Sequence, residues 1–239
     1  MEKQGVISPV AEPTSWCSSI VVVPKPNGSV RICVDLSKAV QREVHPMFSA
    51  DKSLAKLGQG KIFSKLDAKS GFWQIPLCPE SRLLTTFITP FGRFCFNRLP
   101  FGISSASEIF QWTMSQILID LDGVICHMDD ILVHAPDQTT HDQHIRGVLQ
   151  RLREAGVTLN EKCEFSKTSI KFLGHIIVAK GIHVDPDEVK AIRKFPAPTN
   201  ITELQRFMGM VNQLAKFIPS LADSNAPLHH LLRKDTAWV

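Results

Sequence analysis

The segment "ICHMDDILVHA", residues 125–135, sets two adjacent carboxylates, Asp129 and Asp130, between two short apolar runs. Like charges repel, and burying either one is costly without a cation or a hydrogen-bond partner. The flanking runs read as strands, so the acids stand at the tip of a hairpin. Spacing alone leaves two readings open. Acids are common in polar turns, and paired carboxylates also suit a divalent cation.

A second strand-like run, "KIFSKLD", ends on Asp67. If it neighbours the acidic hairpin in one sheet, three carboxylates meet at one edge. Oxygen donors of that kind suit magnesium or manganese. Two such ions about 3.5–4 Å apart activate an attacking hydroxyl and stabilise a leaving pyrophosphate oxygen. That is the chemistry of nucleotidyl transfer. The adjacency itself is an expectation that spacing does not establish.

The rest of the chain alternates strands with turns and then turns helical. "SSIVVVPKPNGSVRICVDL" reads as a hairpin turning at Pro26, Asn27 and Gly28, and "LLTTFITPFGRFCFNRLP" as another around Pro90, Phe91 and Gly92. Ser105 and Glu108 have capping-box spacing ahead of Phe110, Met114, Ile117, Leu118 and Leu121 at helical intervals. A helix is expected from about Asp137 to Ala155, then a hairpin in "SIKFLGHIIVAKGIHVD". Asp185 before Pro186 starts a further helix. Asn200 and Glu203 cap the next, whose apolar stripe is Leu204, Phe207, Met208, Val211, Ala215 and Ile218. A short last helix holds Leu228, Leu231 and Leu232. The expected class is α+β, with a mixed body over residues 1–180 and a small helical module over 181–239.

Composition narrows the classes. With 239 residues, 44% hydrophobic and 21% charged, the chain can bury a substantial core. A net charge of +4 leans weakly towards a polyanionic partner. The six cysteines are far apart and lie mostly in apolar stretches, which predicts reduced, buried thiols rather than a disulfide framework or zinc site. No apolar run approaches the length needed to span a bilayer, so no membrane partner is expected. His141 and His144, i and i+3 on a helix, lack a completing ligand and read as packing or surface residues, and His229 and His230 read as solvated.

Six ordered motifs carry a family likeness: "VVVPKPNGSVRICVD", "FSKLDAKSGFWQIPL", "TTFITPFGRFCFNRLPFGISSASEIFQ", "HMDDILV", "LNEKCEFSKTSIKFLGHII" and "ELQRFMGMVNQLAKFIPSL". From about Pro9 to Trp238 the chain resembles the reverse transcriptase region of the pol polyprotein of gypsy-type LTR retrotransposons. The resemblance implies a right-hand polymerase architecture, with fingers and palm to about residue 180 and a thumb-like part after it. It implies that Asp67 and Asp129 bind Mg2+ (or Mn2+), with Asp130 the accompanying catalytic acid. Phe72 matches the aromatic under the sugar, where a ring excludes a ribose 2′-hydroxyl. Lys25 and Arg31 match fingers residues that hold the incoming triphosphate. Phe101 and Gly102 match the turn behind the nucleotide pocket. His127 and Met128, with Leu173 and Gly174 of "FLGH", match segments that position the primer end. The partners implied are an RNA or DNA template with primer, and deoxynucleoside triphosphates.

The match breaks in places. His127 stands where the family carries tyrosine, and the chain has no tyrosine at all. The segment "CVDLSKAVQREVHPM" looks about three residues shorter than the family pattern. Met1 falls inside what is usually a longer amino-terminal helix, and Val239 stops where an RNase H region would begin. RNase H and integrase regions, expected in a full-length relative, are absent from the sequence. Two functions follow: an RNA-directed DNA polymerase, or a catalytically impaired, retrotransposon-derived remnant that keeps the fold and binds nucleic acid. A metal-dependent nuclease ranks below both, because no further carboxylate cluster or base accompanies the acids. The family likeness implies cytoplasmic particles as the location.

Overall fold

The computed structural model describes residues 1–24, 28, 30–36 and 50–233, and the chain divides into two compact units, Met1–Lys167 and Thr168–Val239. Helices mixed with antiparallel sheets give the expected α+β class. The division falls before the expected boundary near residue 180, because the strands after Thr168 belong with the helices. Lys171 pairs with Asp185, and the His175 ring meets Phe217 edge-on at 5.4 Å.

In the first unit, β1 (Ile7–Pro9) precedes the paired strands β2 (Ile20–Pro24) and β3 (Val30–Val34), whose connecting turn at Pro26 and Asn27 lies outside the described residues. Then follow α1 (Ala50–Leu54), β4 (Ile62–Asp67), α2 (Pro79–Arg82), β5 (Phe87–Thr89) and β6 (Gly92–Phe96). The unit continues with α3 (Ala106–Ile117), β7 (Val124–His127), β8 (Asp130–Ala135), α4 (Gln138–Glu154) and β9 (Glu164–Lys167). β5 and β6 form the expected hairpin, extended by β1. The central sheet has the order β7-β8-β4-β9 and is antiparallel throughout.

Strand alternation decides what this sheet shows on each face. Leu66, Ile131 and Val133 point one way and are fully buried against Phe110, Met114 and Leu118 of the α3 segment and Ile145, Val148 and Leu152 of α4. Burying each such side chain contributes about 1.5–3 kcal/mol. Lys65, Asp67 and Asp130 fall on the opposite face by the same alternation, with Asp67 directly across from Asp130. His141 is buried, as a packing histidine should be, and its Nε2 lies 2.9 Å from the Ser64 hydroxyl. His144 Nδ1 lies 3.1 Å from the His134 carbonyl.

The second unit opens with the meander β10 (Ser169–Phe172), β11 (His175–Val178) and β12 (Gly181–Val184), one strand more than the hairpin expected. Helices α5 (Pro186–Arg193), α6 (Ile201–Gln213) and α7 (Leu221–Leu231) follow. Asp185 and Asn200 cap α5 and α6 as expected, accepting from the backbone N–H of Asp187 at 2.9 Å and Glu203 at 3.0 Å. On α6, Leu204, Met208 and Val211 are buried. Ala215 and Ile218 leave that stripe and are exposed, because the helix gives way to a 3₁₀ turn over Ala215–Phe217, and Leu214 is buried instead.

Two further expectations change. Ser105 is the N-cap of α3, yet no side-chain capping bond forms. Its φ of −89° and ψ of 0° depart from the extended backbone from which an N-cap hydroxyl reaches into the first turn. Asp137 and Asn200, both extended, do make that bond. All six cysteines are free, but only Cys95 is buried, and Cys17 and Cys78 are exposed.

Hydrogen bonds from Lys171 and the Asp187 backbone hold the Asp185 carboxyl below the ordinary carboxylate range, and the Asp185 carboxylate holds Lys171 above its own. The pair therefore stabilises the fold above about pH 4, and this support is lost as pH falls through the depressed value of Asp185. Asp185→Asn, which keeps a capping oxygen, is expected to melt at lower temperature at pH 7 and to converge with the wild type in strong acid. Thermal unfolding across a pH series checks this.

Candidate active site

The acidic hairpin closes between His127 and Asp130, which pair across β7 and β8, leaving Met128 and Asp129 as its two turn residues. Met128 has φ of 52°, a left-handed value normally taken by glycine at the first turn position. Holding a non-glycine residue there costs on the order of 1–3 kcal/mol and needs support from its surroundings. Gln111 of α3 supplies it. Its side-chain oxygen accepts from Met128 N–H, and its amide donates to the Cys126 carbonyl at 3.1 Å. One buried glutamine thus grips the backbone on both sides of His127.

Asp67 is held from the other side. Its carbonyl accepts from Asn160 N–H at 2.8 Å, its own N–H points to Cys163 Sγ at 3.5 Å, and the next residue, Ala68, donates to the Asp129 carbonyl at 3.2 Å. Burial and the Asp130 charge push the Asp67 carboxyl above its ordinary value, while Lys65 and Lys162 pull it down. Lys65 Nζ lies 3.2 Å from Asp130 Oδ1. Although Cys126 is only half-buried as a residue, its thiol is shielded from water and pushed up to about 12, so it stays protonated beside the acids.

Gly71 seats the third acid. A Cβ at this position would come within 2.5 Å of Asp129 Oδ1 and 3.1 Å of Phe110 Cζ. Glycine alone lets the carboxylate rest there. Next in the chain, the Phe72 ring packs 4.9 Å from Phe101 and 5.6 Å from Phe110, which fixes its orientation. Gly102 has φ of 112°, and a Cβ there would meet the Val34 carbonyl oxygen at 1.9 Å. Val34 N–H donates to the Phe101 carbonyl at 3.2 Å, so the Phe101-Gly102 turn is pinned to β3. Arg31 lies on that strand, while its side chain and all of Lys25 fall outside the described residues.

The acids are therefore neighbours at one end of the central sheet. Their side chains are not drawn into a finished ligand set: among the described residues no three His, Cys, Asp or Glu side chains form one. The donor chemistry nonetheless fits a hard divalent ion, since all three groups offer oxygen and the Lys65 ammonium already stands as a cation at Asp130. Leu173 and Gly174 form the turn between β10 and β11 in the second unit, both with positive φ, at 50° and 77°. That is the two-residue hairpin geometry in which a leucine at the first position is strained.

Sequence reasoning missed Gln111, Gly71 and Lys65. Lys65 carried a readable signal, being two residues before Asp67 and hence on the same strand face. Gly71 read only as a break. Gln111 gave no signal, because its contacts join a helix to a hairpin distant in sequence.

A sequence profile described as "Reverse transcriptase (RNA-dependent DNA polymerase)" matches residues 23–177. The Tf2-3 and Tf2-7 transposon polyproteins of Schizosaccharomyces pombe are each 36% identical over 225 residues, covering 92% of this chain and 17% of the polyprotein. A foamy viral protease–reverse transcriptase in complex with dsDNA superposes over the whole chain with TM-score 0.91 and 25% identity, over 51% of the viral chain. A second, with an RNA/DNA hybrid, gives 0.85 at 24% identity, over 33% of its chain. The chain thus spans under a fifth of the transposon polyproteins it matches and about a third to a half of these viral chains. The likeness to transposon polyproteins agrees with the retrotransposon motifs read from the sequence, and the chain belongs to the reverse transcriptase (RNA-dependent DNA polymerase) family.

Proposed function

We propose that this chain is an RNA-directed DNA polymerase that extends a primer 3′-hydroxyl with deoxynucleotides. The observation that carries this reading is the direct opposition of Asp67 and Asp130 across β4 and β8, with Asp129 in the adjoining turn against Gly71. In this reading Asp67 and Asp129 hold Mg2+, or Mn2+, with Asp130 beside them. Bound divalent ions supply activation of the attacking hydroxyl and charge stabilisation of the leaving pyrophosphate.

The chain's own residues do the positioning. Gln111 and the strained Met128 fix the backbone that carries Asp129, so only side chains need to move once the substrates are in place. The Phe72 ring, wedged by Phe101 and Phe110, forms a rigid wall under the sugar and excludes a ribose 2′-hydroxyl. Arg31 and Lys25 would grip the triphosphate from the fingers, backed by the Phe101-Gly102 turn. His127, Met128 and the Leu173-Gly174 turn would set the primer end. Residues 1–180 would act as fingers and palm and 181–239 as a thumb, and binding of template and primer would weaken with salt. The related viral structures, with dsDNA and an RNA/DNA hybrid, support duplex partners of that kind. The family likeness supports work in cytoplasmic particles.

Primer extension on an RNA template with Mg2+ or Mn2+ tests the function. The wild type is expected to incorporate deoxynucleotides, and Asp129→Asn to lose at least about a hundredfold in rate, the upper range for groups that merely support a metal ligand. His127→Tyr is expected to raise extension by restoring an aromatic hydroxyl. Template binding without incorporation under either metal would favour an impaired remnant.

Two variants probe the site's parts. Phe72→Ala is expected to cut the preference for deoxy- over ribonucleotides by tenfold or more in kcat/KM; an unchanged ratio removes Phe72 from sugar selection. Asp67→Asn is expected to abolish extension yet raise the melting temperature without metal. The sign follows from the raised carboxyl pKa, because the folded state disfavours ionised Asp67 at neutral pH.

A further inference from the structure

We infer that Lys65 is a resident counter-ion of the acidic sheet end, which holds Asp130 when no divalent ion is bound and competes with such an ion for that carboxylate. The inference deepens the polymerase reading and rests on it.

Register and reach carry the argument. Lys65 faces the same side of β4 as Asp67, and its Nζ crosses to Asp130 Oδ1 at 3.2 Å. The two side chains of the pair are 24% and 31% exposed, so neither is locked in a dry interior. A pair exposed to that degree shifts an equilibrium by a factor of only about 1.5 to 5. It is strong enough to neutralise Asp130 in the free protein and weak enough to be displaced. The lysine stem, with its rotatable bonds, lets the charge swing away without moving the strand.

Electrostatics then sets the consequence. A dication brought to Asp130 meets a like charge on Lys65, so binding there requires the ammonium to withdraw. An incoming triphosphate brings its own negative charge, offsets the ammonium and lets the full set of carboxylates engage. Lys65 thereby links ion loading to substrate arrival. The role is one of positioning and charge balance, since Lys65 acts through Asp130.

Mn2+ binding to the purified chain, measured by electron paramagnetic resonance of the free ion without nucleotide or nucleic acid, tests this. Wild type is compared with Lys65→Met, which keeps the stem and drops the charge, with Lys65→Arg, and with Lys65→Met/Asp130→Asn. Lys65→Gln stands in if the methionine variant does not fold, as judged by thermal melting. Lys65→Met is expected to bind Mn2+ roughly twofold to fivefold more tightly, within the range a partly exposed ion pair allows. Lys65→Arg is expected to stay near wild type, and the double variant to lose the gain. Equal or weaker Mn2+ binding by Lys65→Met, with primer extension intact in the wild type, overturns the counter-ion role alone. Mn2+ binding indifferent to Asp67→Asn and Asp129→Asn, with no extension, overturns the polymerase reading and this inference with it.

Discussion

Two carboxylates face each other across β4 and β8, and the rest of the site is arranged around that unfavourable contact. At the sheet's partly solvated end, like-charge repulsion over a cross-strand distance amounts to about 1–3 kcal/mol. On the other face of the same strands, Leu66, Ile131 and Val133 are fully buried, each contributing about 1.5–3 kcal/mol. Burial wins, so the register is fixed by the apolar face and the acids are carried into opposition. A slip by one residue would put Asp67 and Asp130 among Phe110, Met114 and Val148, which is far more costly than their repulsion.

Around that contact the protein concentrates its backbone constraints. Met128 at the tip of the acidic hairpin takes positive φ without being glycine. Gly71 and Gly102 are glycine because an oxygen occupies the space where a Cβ would stand. Strain of this kind persists only where neighbours over-determine the backbone. For Met128 that neighbour is Gln111, whose amide satisfies a donor and an acceptor of the hairpin at once. In the proposed reading this rigidity serves positioning, since a carboxylate displaced by an ångström would no longer reach an ion shared with its neighbours.

The second unit shows where local pattern suffices and where it fails. Asp185 and Asn200 cap their helices as the sequence indicates, because an extended cap with an oxygen two or three atoms from the backbone reaches the first turn by itself. The α6 stripe fails beyond Val211, where the helix tightens into a 3₁₀ turn and the helical period no longer predicts which side chains face inward. Ser105 fails as a capping acceptor for the same kind of reason: the motif fits, but its backbone angles do not.

Sequence by itself determined the α+β class, the hairpin bearing Asp129 and Asp130, the strand ending on Asp67, the family, and most helix starts. These rest on short-range periods of two and three to four residues and on ordered motifs, which are written along the chain. Tertiary structure alone decided that Asp67 opposes Asp130, that Lys65 reaches the pair, that Gly71 makes room for Asp129, and that Gln111 grips the hairpin. Those relations join segments far apart in sequence, and only the packing that fixes strand order and register brings them within a few ångströms of one another.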